Sequence, residues 1–234
     1  MKLNGSRVLV ADATGGRGGA ITAELADRGA SVALGGRDRG RMAHTARTYP
    51  GGPIAAFDAY GPWSCARAVH VAAAALQRLD AVVACGSVAF GAPEEIGDEV
   101  AEHLMAVNHL APAAVFRAAL GILRRGSAVA AVTGVVAERP QPRVADYSAS
   151  KAALAAWLDA VREARSAGAA VLEIRPGHLD TRFATRPVAG TAPHRPEGGD
   201  PRHVAGAVAD ALEAAAELLR SGPDQSPIVE RRAR

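Results

Sequence analysis

Short apolar runs alternate with longer segments of helical periodicity along almost the whole chain. The apolar runs resemble buried strands, and they cover residues 7–11, 31–34, 54–57, 81–84, 127–132 and 169–174. Helical spacing covers residues 20–28, 39–49, 64–78, 95–123, 147–166 and 203–219. Alternation of strand and helix predicts βαβ crossovers, and therefore an α/β fold with a parallel sheet covered by helices on both faces.

The length of 234 residues suits one such unit, so we predict a single domain over residues 1–234. Two segments depart from the alternation. Residues 181–201 are rich in Pro, Gly, Arg and Thr and too long for an ordinary connection, which predicts a substrate lid; a mobile insertion or a plain solvent loop are the alternatives. Residues 222–234 are predicted to be a flexible tail, unless residues 227–229 add an edge strand.

Composition narrows the class of protein. The net charge is +3, but the arginines are scattered among acidic residues, which favours a solvated surface over a nucleic-acid site. Cys65 and Cys85 form no CxxC pattern, so we expect no disulfide, no metal site and a reducing compartment. The sequence has no signal peptide and no apolar run of membrane-spanning length, so a cytoplasmic protein that binds no membrane is expected.

Lysine and asparagine are scarce, with only Lys2, Lys151, Asn4 and Asn108 in the chain. Tyr147 and Lys151 lie four residues apart at the start of a predicted helix, so they share one face. A phenol with a pKa near 10 is a poor acid at neutral pH, but an adjacent ammonium favours its phenolate form. The pair therefore suits general acid/base catalysis, with an exposed surface pair as the alternative.

Seven motifs occur in order on this framework: "ADATGGRG", "GGRD", "FDAY", "LDAVVACGSVAFG", "AVNHL", "YSASKAAL" and "IRPGHLDT". With them the chain resembles the short-chain dehydrogenase/reductase superfamily over nearly its whole length. The resemblance implies a Rossmann-type doubly wound sheet of strand order 3-2-1-4-5-6, with a seventh strand as a further option.

The resemblance also implies a catalytic set. Tyr147 would protonate the carbonyl oxygen during reduction, and Lys151 would hold the nicotinamide ribose and make the phenol more acidic. Asn108 would support a proton relay to Lys151 through its backbone and a water; an ordinary polar residue of a helix is the alternative.

Further residues are implied to bind the cofactor. The Gly-rich turn and the segments after the fourth and sixth strands supply Thr14, Gly15, Gly16, Gly18, Gly86, Pro176, Gly177 and Thr181. The threonine of this PGxxxT stretch would contact the nicotinamide amide, although the same stretch also suits a simple turn. The glycines would let the backbone approach a pyrophosphate at the amino terminus of a helix.

Cofactor choice depends on the residues after the second strand. Arg37 suits the 2′-phosphate of NADP(H), which we favour over NAD(H), while Asp38 is the argument for NAD(H). Arg17 adds positive charge near the pyrophosphate or points to water. Asp58 matches the family's aspartate at the adenine ring, or is a turn residue.

The chain departs from the family pattern in three places. Asp12 replaces the first glycine of the turn, where a carboxylate near phosphates is unfavourable. Ala84, Cys85, Gly86 and Ser87 replace the usual Asn-Asn-Ala-Gly. The catalytic serine is replaced by Gly134; Thr133 carries a hydroxyl, but adjacent strand residues point to opposite faces, so it serves only if the strand end twists.

We therefore expect an NADP(H)-dependent oxidoreductase that reduces a small-molecule carbonyl or oxidises the corresponding alcohol. The alternative is a protein of the same fold with lyase, isomerase or non-catalytic binding activity. Substrate-lining candidates lie in residues 135–144 and 181–201, whose arginines suit an anionic substrate or are solvated. A homodimer or homotetramer is expected through residues 95–123 and 147–166.

Overall fold

The computed structural model describes residues 1–49, 52–164, 168–181, 183–194, 197–222 and 226–230. Arg182 and residues 195–196 of the predicted lid lie outside the described residues. The same holds for residues 223–225 and 231–234 of the predicted tail.

Eight strands form one sheet in the order β3-β2-β1-β4-β5-β6-β7-β8. The strands are β1 Arg7–Ala11, β2 Ser31–Gly36, β3 Ile54–Ala56, β4 Ala81–Ala84, β5 Ala128–Val132, β6 Ala170–Arg175, β7 Leu218–Ser221 and β8 Pro227–Glu230. All neighbours pair in parallel except β7 and β8, which are antiparallel. The predicted Rossmann-type sheet and its strand order are confirmed, and the optional edge strand in the tail is present as β8.

The helices alternate with these strands. They are α1 Gly16–Asp27, α2 Arg39–Ala46, α3 Pro62–Leu76, α4 Asp98–Met105, α5 Ala111–Leu120, α6 Ala145–Ala164 and α7 Pro201–Glu213. A π-helical turn, Ala106–Leu110, joins α4 to α5 within the segment predicted as one long helix. The prediction of a helix to residue 219 is wrong, because Ala215 has a φ of 51° and the chain then pairs with β6 as β7.

Two apolar layers cover the two faces of the sheet. Along β1, Val8 and Val10 pack with α1, α2 and α7, whereas Leu9 and Ala11 pack with α3, α5 and α6. This alternation follows from successive strand side chains pointing to opposite faces. Because the strands are parallel, the segments that follow β1, β2, β4, β5 and β6 meet at one edge of the sheet, where the site lies.

None of the described helices is both long and apolar enough to cross a membrane.

Candidate active site

A cavity of about 70 Å³ lies at the carboxyl ends of the strands, between the segments after β4, β5 and β6 and residues 183–184. Its walls contain five residues singled out from the sequence, namely Arg17, Tyr147, Pro176, Gly177 and Thr181. The others are Val88, Phe90, Gly134, Val135, Val136, Val144, His178, Leu179, Phe183 and Ala184. The cavity is thus largely apolar, with a phenol and a guanidinium at its wall.

Tyr147 and Lys151 occupy one buried face of α6. Tyr147 is 6% exposed, and Lys151 is 1% exposed and donates a hydrogen bond of 2.8 Å from Nζ to the carbonyl oxygen of Val132. Burial, with repulsion from Arg17, lowers the pKa of Lys151 to about 7. The pair is therefore not the exposed surface pair that the sequence left open.

Asn108 lies in the π-helical turn and is fully buried. Its Oδ1 accepts a hydrogen bond from the backbone N of Ser87 at 2.8 Å, and its Nδ2 donates to the oxygen of Ser87 and to Oγ of Ser150, both at 3.0 Å. The side chain thus fixes the segment after β4 against α6. An ordinary polar residue on a helix surface would make no such set of bonds.

Gly86 lies in that segment, directly against the two polar side chains. A Cβ atom there would be 2.2 Å from Oδ1 of Asn108 and 2.7 Å from Nζ of Lys151. The position therefore requires glycine, even though the asparagines that the family pattern has beside it are absent from this chain.

The Gly-rich turn brings the backbone close to itself and to the cavity. A Cβ at Gly18 would lie 2.1 Å from the carbonyl oxygen of Asp12, and one at Gly16 would lie 2.9 Å from Cβ of Thr181. Gly15 is the N-cap residue of α1. The glycines thus let the turn before α1 pack closely against Thr181 and against its own backbone.

Asp12 has the left-handed backbone that the missing glycine would adopt, with a φ of 69°. Burial raises the pKa of its carboxyl to about 6, opposed by the charges of Arg37, Arg17, Arg41 and Lys151. The turn therefore survives the replacement. The carboxyl lies near enough to these cations for their charges to act on its pKa.

A second groove continues from the cavity side of β1 toward β2. It is lined by Asp12, Gly36, Arg37 and Gly86, with Phe57, Ala59 and other apolar residues. Arg37 is exposed at its edge. Asp38 instead caps α2, because its Oδ1 accepts a hydrogen bond of 2.9 Å from the backbone N of Arg41.

The remaining residues predicted for the cofactor are peripheral. Asp58 is exposed, and its Oδ1 accepts a hydrogen bond from the backbone N of Tyr60 at 3.0 Å, as in a turn. Thr14 contributes its carbonyl oxygen, which accepts a hydrogen bond of 2.8 Å from Nη2 of Arg41. Arg41 thus ties α2 to the Gly-rich turn.

Thr133 is not brought to the cavity with Tyr147. Its hydroxyl donates to Oε1 of Glu173 at 2.8 Å, and both side chains are fully buried. Gly134 takes the cavity position instead, with a φ of 84°. The backbone N atoms of Thr133 and Gly134 both donate to the carbonyl oxygen of Ile174, and this strand end directs the Thr133 hydroxyl to Glu173 and not to the cavity.

Glu173 was not found from the sequence. Its carboxylate also accepts hydrogen bonds from Arg175, at 2.8 Å and 2.9 Å. A glutamate in the middle of an apolar strand is the signal that predicts such a partnered buried charge.

The segment of residues 183–194 runs across the cavity. The backbone N of Val188 donates to the oxygen of Val88 at 2.8 Å, and that of Phe90 donates to the oxygen of Ala189 at 3.0 Å. The rings of Phe183 and Tyr147 are tilted, with centroids 6.1 Å apart. Phe183 was also missed, although it is the aromatic residue in a segment otherwise rich in Pro and Gly.

The described arginines among the substrate-lining candidates do not line the cavity, and Arg182 and Arg195 lie outside the described residues. Arg139 and Arg186 are exposed, and Arg143 forms an ion pair of 3.3 Å with Glu95.

Among the residues that the structure describes, no group of three or more His, Cys, Asp or Glu side chains is placed to hold a metal ion.

The sequence model of the short chain dehydrogenase family matches residues 6–190. The chain belongs to this family. Among solved structures, it is similar to a short chain dehydrogenase from Burkholderia cenocepacia in complex with NADP, with 26% identity, 91% of this chain and 92% of that chain covered, and a TM-score of 0.78. It is also similar to an alcohol dehydrogenase from the archaeon Thermococcus sibiricus complexed with 5-hydroxy-NADP, with 25% identity, 98% of each chain covered and a TM-score of 0.81.

A dehydrogenase/reductase from Sinorhizobium meliloti is a third such structure, with 27% identity, 90% of each chain covered and a TM-score of 0.76. A comparison with curated protein sequences finds no match. Family membership and these neighbours together support NAD(P)-dependent oxidoreductase activity in general.

Proposed function

We propose that this short-chain dehydrogenase reduces a small-molecule carbonyl with NADPH, or oxidises the corresponding alcohol, with Tyr147 and Lys151 as the acid/base pair. One observation carries the proposal. The phenol of Tyr147 lines an apolar cavity, and the ammonium of Lys151 is buried on the same helical face behind it. Structural stability alone does not call for a buried lysine in a chain that otherwise uses arginine, because burying an ammonium is costly.

The protein's own groups suit a dinucleotide. Gly16, Gly18 and Gly86 let the Gly-rich turn and the segment after β4 pack closely against their neighbours, which shapes the cradle proposed for a pyrophosphate and ribose. Arg17, Arg37 and Arg41 place positive charge around this cradle, as their effect on Asp12 indicates. When bound, the reduced nicotinamide supplies a hydride to the carbonyl carbon.

The residues around the cavity then have defined roles in the reaction. Tyr147 donates its hydroxyl proton to the carbonyl oxygen as that oxygen gains charge, and the nearby charge of Lys151 favours the phenolate left behind. The carbonyl oxygen of Val132 holds Nζ of Lys151, Asn108 fixes the segment that contains Gly86, and the apolar walls exclude water from the transfer.

NADP(H) is the proposed cofactor because Arg37 lines the groove and Asp38 does not. Arg37 is exposed there, whereas Asp38 is used as the cap of α2. Two of the similar structures are complexes with NADP or 5-hydroxy-NADP, which supports the same choice.

A second candidate is a non-redox or non-catalytic member of the fold. Two observations favour it: the carboxyl of Asp12 lies among the phosphate-binding cations, and Gly134 offers the cavity no hydroxyl. Both would weaken a reductase, by cofactor affinity and by oxyanion stabilisation respectively.

NADPH titration followed by fluorescence, and then a panel of aldehydes and ketones, distinguishes the two candidates. We expect NADPH to bind saturably below about 1 mM. Tyr147→Phe should reduce turnover by at least about 100-fold. Arg37→Ala should lose affinity for NADPH but not for NADH. Absence of NADPH binding would reject the reductase, and binding without turnover would favour the second candidate. Full turnover in Tyr147→Phe would remove Tyr147 from the proposed role.

We further propose that residues 181–201 act as the lid of this cavity and that the chain works as a cytoplasmic homodimer or homotetramer. Phe183 and Ala184 line the cavity from this segment. Leu110 and Ile122, at the two ends of α5, are 49% and 38% exposed, which suits contact with a second copy. Light scattering measures the assembly directly.

A further inference from the structure

The guanidinium of Arg17 lies at the wall of the cavity, against an aromatic ring of the segment 183–194. Its Cζ is 3.7 Å from the centroid of the Phe183 ring. Phe183 in turn faces Tyr147, so the same ring borders both the guanidinium and the phenol. A ligand along Phe183 would therefore meet Arg17 at one end and Tyr147 at the other.

The charge of Arg17 is not neutralised by a neighbour at contact distance. Arg17 forms no hydrogen bond or ion pair with any of the residues that the structure describes, although it is near enough to Asp12 and Lys151 to change the pKa of both groups. It is the only lysine or arginine among the described residues that line the cavity, and no Asp or Glu lines it. A partly buried guanidinium between an aromatic face and apolar walls gains most from an anion that arrives with a ligand.

We propose that the substrate carries a carboxylate or a similar anionic group and that Arg17 is the residue that selects it. This inference rests on the proposed reductase function, because the anion is placed on the carbonyl substrate. The loop arginines that the structure describes do not take this role, since Arg139 and Arg186 are exposed and Arg143 is paired with Glu95.

The test uses matched pairs of substrates that differ in charge and little else. Glyoxylate, succinic semialdehyde and 4-formylbenzoate place a carboxylate at increasing distances from the carbonyl, and their amides are neutral controls of nearly the same size. For at least one pair, we expect kcat/KM to favour the carboxylate by about tenfold or more, with a preference that falls as salt is added.

Arg17→Met should abolish this preference, and Arg17→Lys should retain part of it, because the charge remains but the planar fork is lost. Arg186→Met removes one positive charge from an exposed position of the same region and serves as the control. An equal preference in wild type and Arg17→Met would overturn the inference.

NADPH affinity distinguishes a substrate anion from the cofactor's own phosphates. If Arg17→Met raises the Kd of NADPH by as much as it lowers the preference for carboxylates, Arg17 serves the cofactor and the inference is wrong. If no pair is reduced at all, the proposed function fails, and binding of benzoate against benzamide still decides the anion site. Thermal shift should then show stabilisation by benzoate that Arg17→Met loses, and the absence of such a difference would reject the site.

Discussion

Gly86 and Asn108 are packed so closely that a Cβ atom on Gly86 would lie 2.2 Å from Oδ1 of Asn108. The same amide oxygen accepts a hydrogen bond from the backbone N of Ser87, so it is not free to move away. The segment after β4 is thereby fixed at the point where Lys151 also approaches it.

Gly86→Ala should therefore lower the free energy of unfolding by about 1–3 kcal/mol and weaken NADPH binding. The added methyl group must displace either Asn108 or Nζ of Lys151, both of which are buried. Chemical denaturation and NADPH titration measure the two effects. Gly121→Ala is the matched control, because a Cβ there makes only ordinary contacts and the φ of −70° suits alanine. Equal effects of the two substitutions would contradict this account of Gly86.

The strands up to β6 were predictable from the sequence because apolar runs are bounded by turn residues and recur at regular intervals. β7 was not, because "AAAELLRS" carries no Gly or Pro to mark the end of a helix. The helix ends where Ala215 takes a left-handed conformation, and pairing of Leu218 with Glu173 then determines the strand. Tertiary contacts therefore determine this strand, and local propensity does not reveal it.

The site was predictable as a set of motif positions, but the directions of its side chains were not. Arg17 occupies the phosphate turn in sequence, yet its guanidinium reaches the cavity because Phe183, far along the chain, provides a face for it. The π-helical turn at Asn108 leaves the apolar periodicity almost unchanged, so the sequence pattern indicates one continuous helix there.

Asp12→Asn should bind NADP⁺ about three- to tenfold more tightly than wild type at pH 8, because an ionised carboxyl among Arg17, Arg37 and Arg41 competes with phosphate. The pKa of Asp12 is raised from 3.8 to about 6, so the folded state holds a proton that the unfolded state has lost between these values. Stability from this group therefore falls as pH rises from 4 to 6. The advantage of Asp12→Asn in NADP⁺ affinity grows as the folded carboxyl ionises around pH 6.

Isothermal titration between pH 5 and pH 8 checks the affinity, and comparing variants at each pH cancels the ionisation of the ligand's own phosphate. Asp38→Asn removes the same charge nearby while keeping an effective helix cap. An Asp12→Asn advantage that does not change with pH would mean that the charge of Asp12 is not the cause.

Lys151 should make the unliganded protein more stable in mildly alkaline solution. Its pKa is lowered from 10.5 to about 7, so between these values the unfolded state binds the extra proton. The free energy of unfolding therefore rises with pH across this window. Lys151→Met should lack this rise. The free energy of unfolding of wild type should therefore gain on the order of 3 kcal/mol over that of Lys151→Met between pH 7 and pH 9.5.

Denaturant unfolding at several pH values measures this difference. Lys2→Met replaces the only other lysine, which is exposed, and should leave the pH dependence of wild type unchanged. Parallel curves for wild type and Lys151→Met would show that the ammonium is not destabilised by burial.

Gly134→Ser should raise kcat, because it brings a hydroxyl to the wall that Tyr147 lines. The position has room, since a Cβ there would be 3.7 Å from Cγ2 of Val136 and 3.9 Å from the oxygen of Pro176. The φ of 84° makes any side chain strained, so stability should fall by about 1–2 kcal/mol. Gly134→Ala carries the same strain without the hydroxyl, and the ratio of the two kcat values isolates the effect of the hydroxyl on turnover.

Thr133→Val removes the hydroxyl donor to the buried carboxylate of Glu173, which keeps only its bonds from Arg175, and should lower the free energy of unfolding by about 1–3 kcal/mol. If instead Thr133→Val reduces kcat as strongly as Tyr147→Phe while Gly134→Ser has no effect, Thr133 supplies the catalytic hydroxyl after its side chain turns toward the bound substrate.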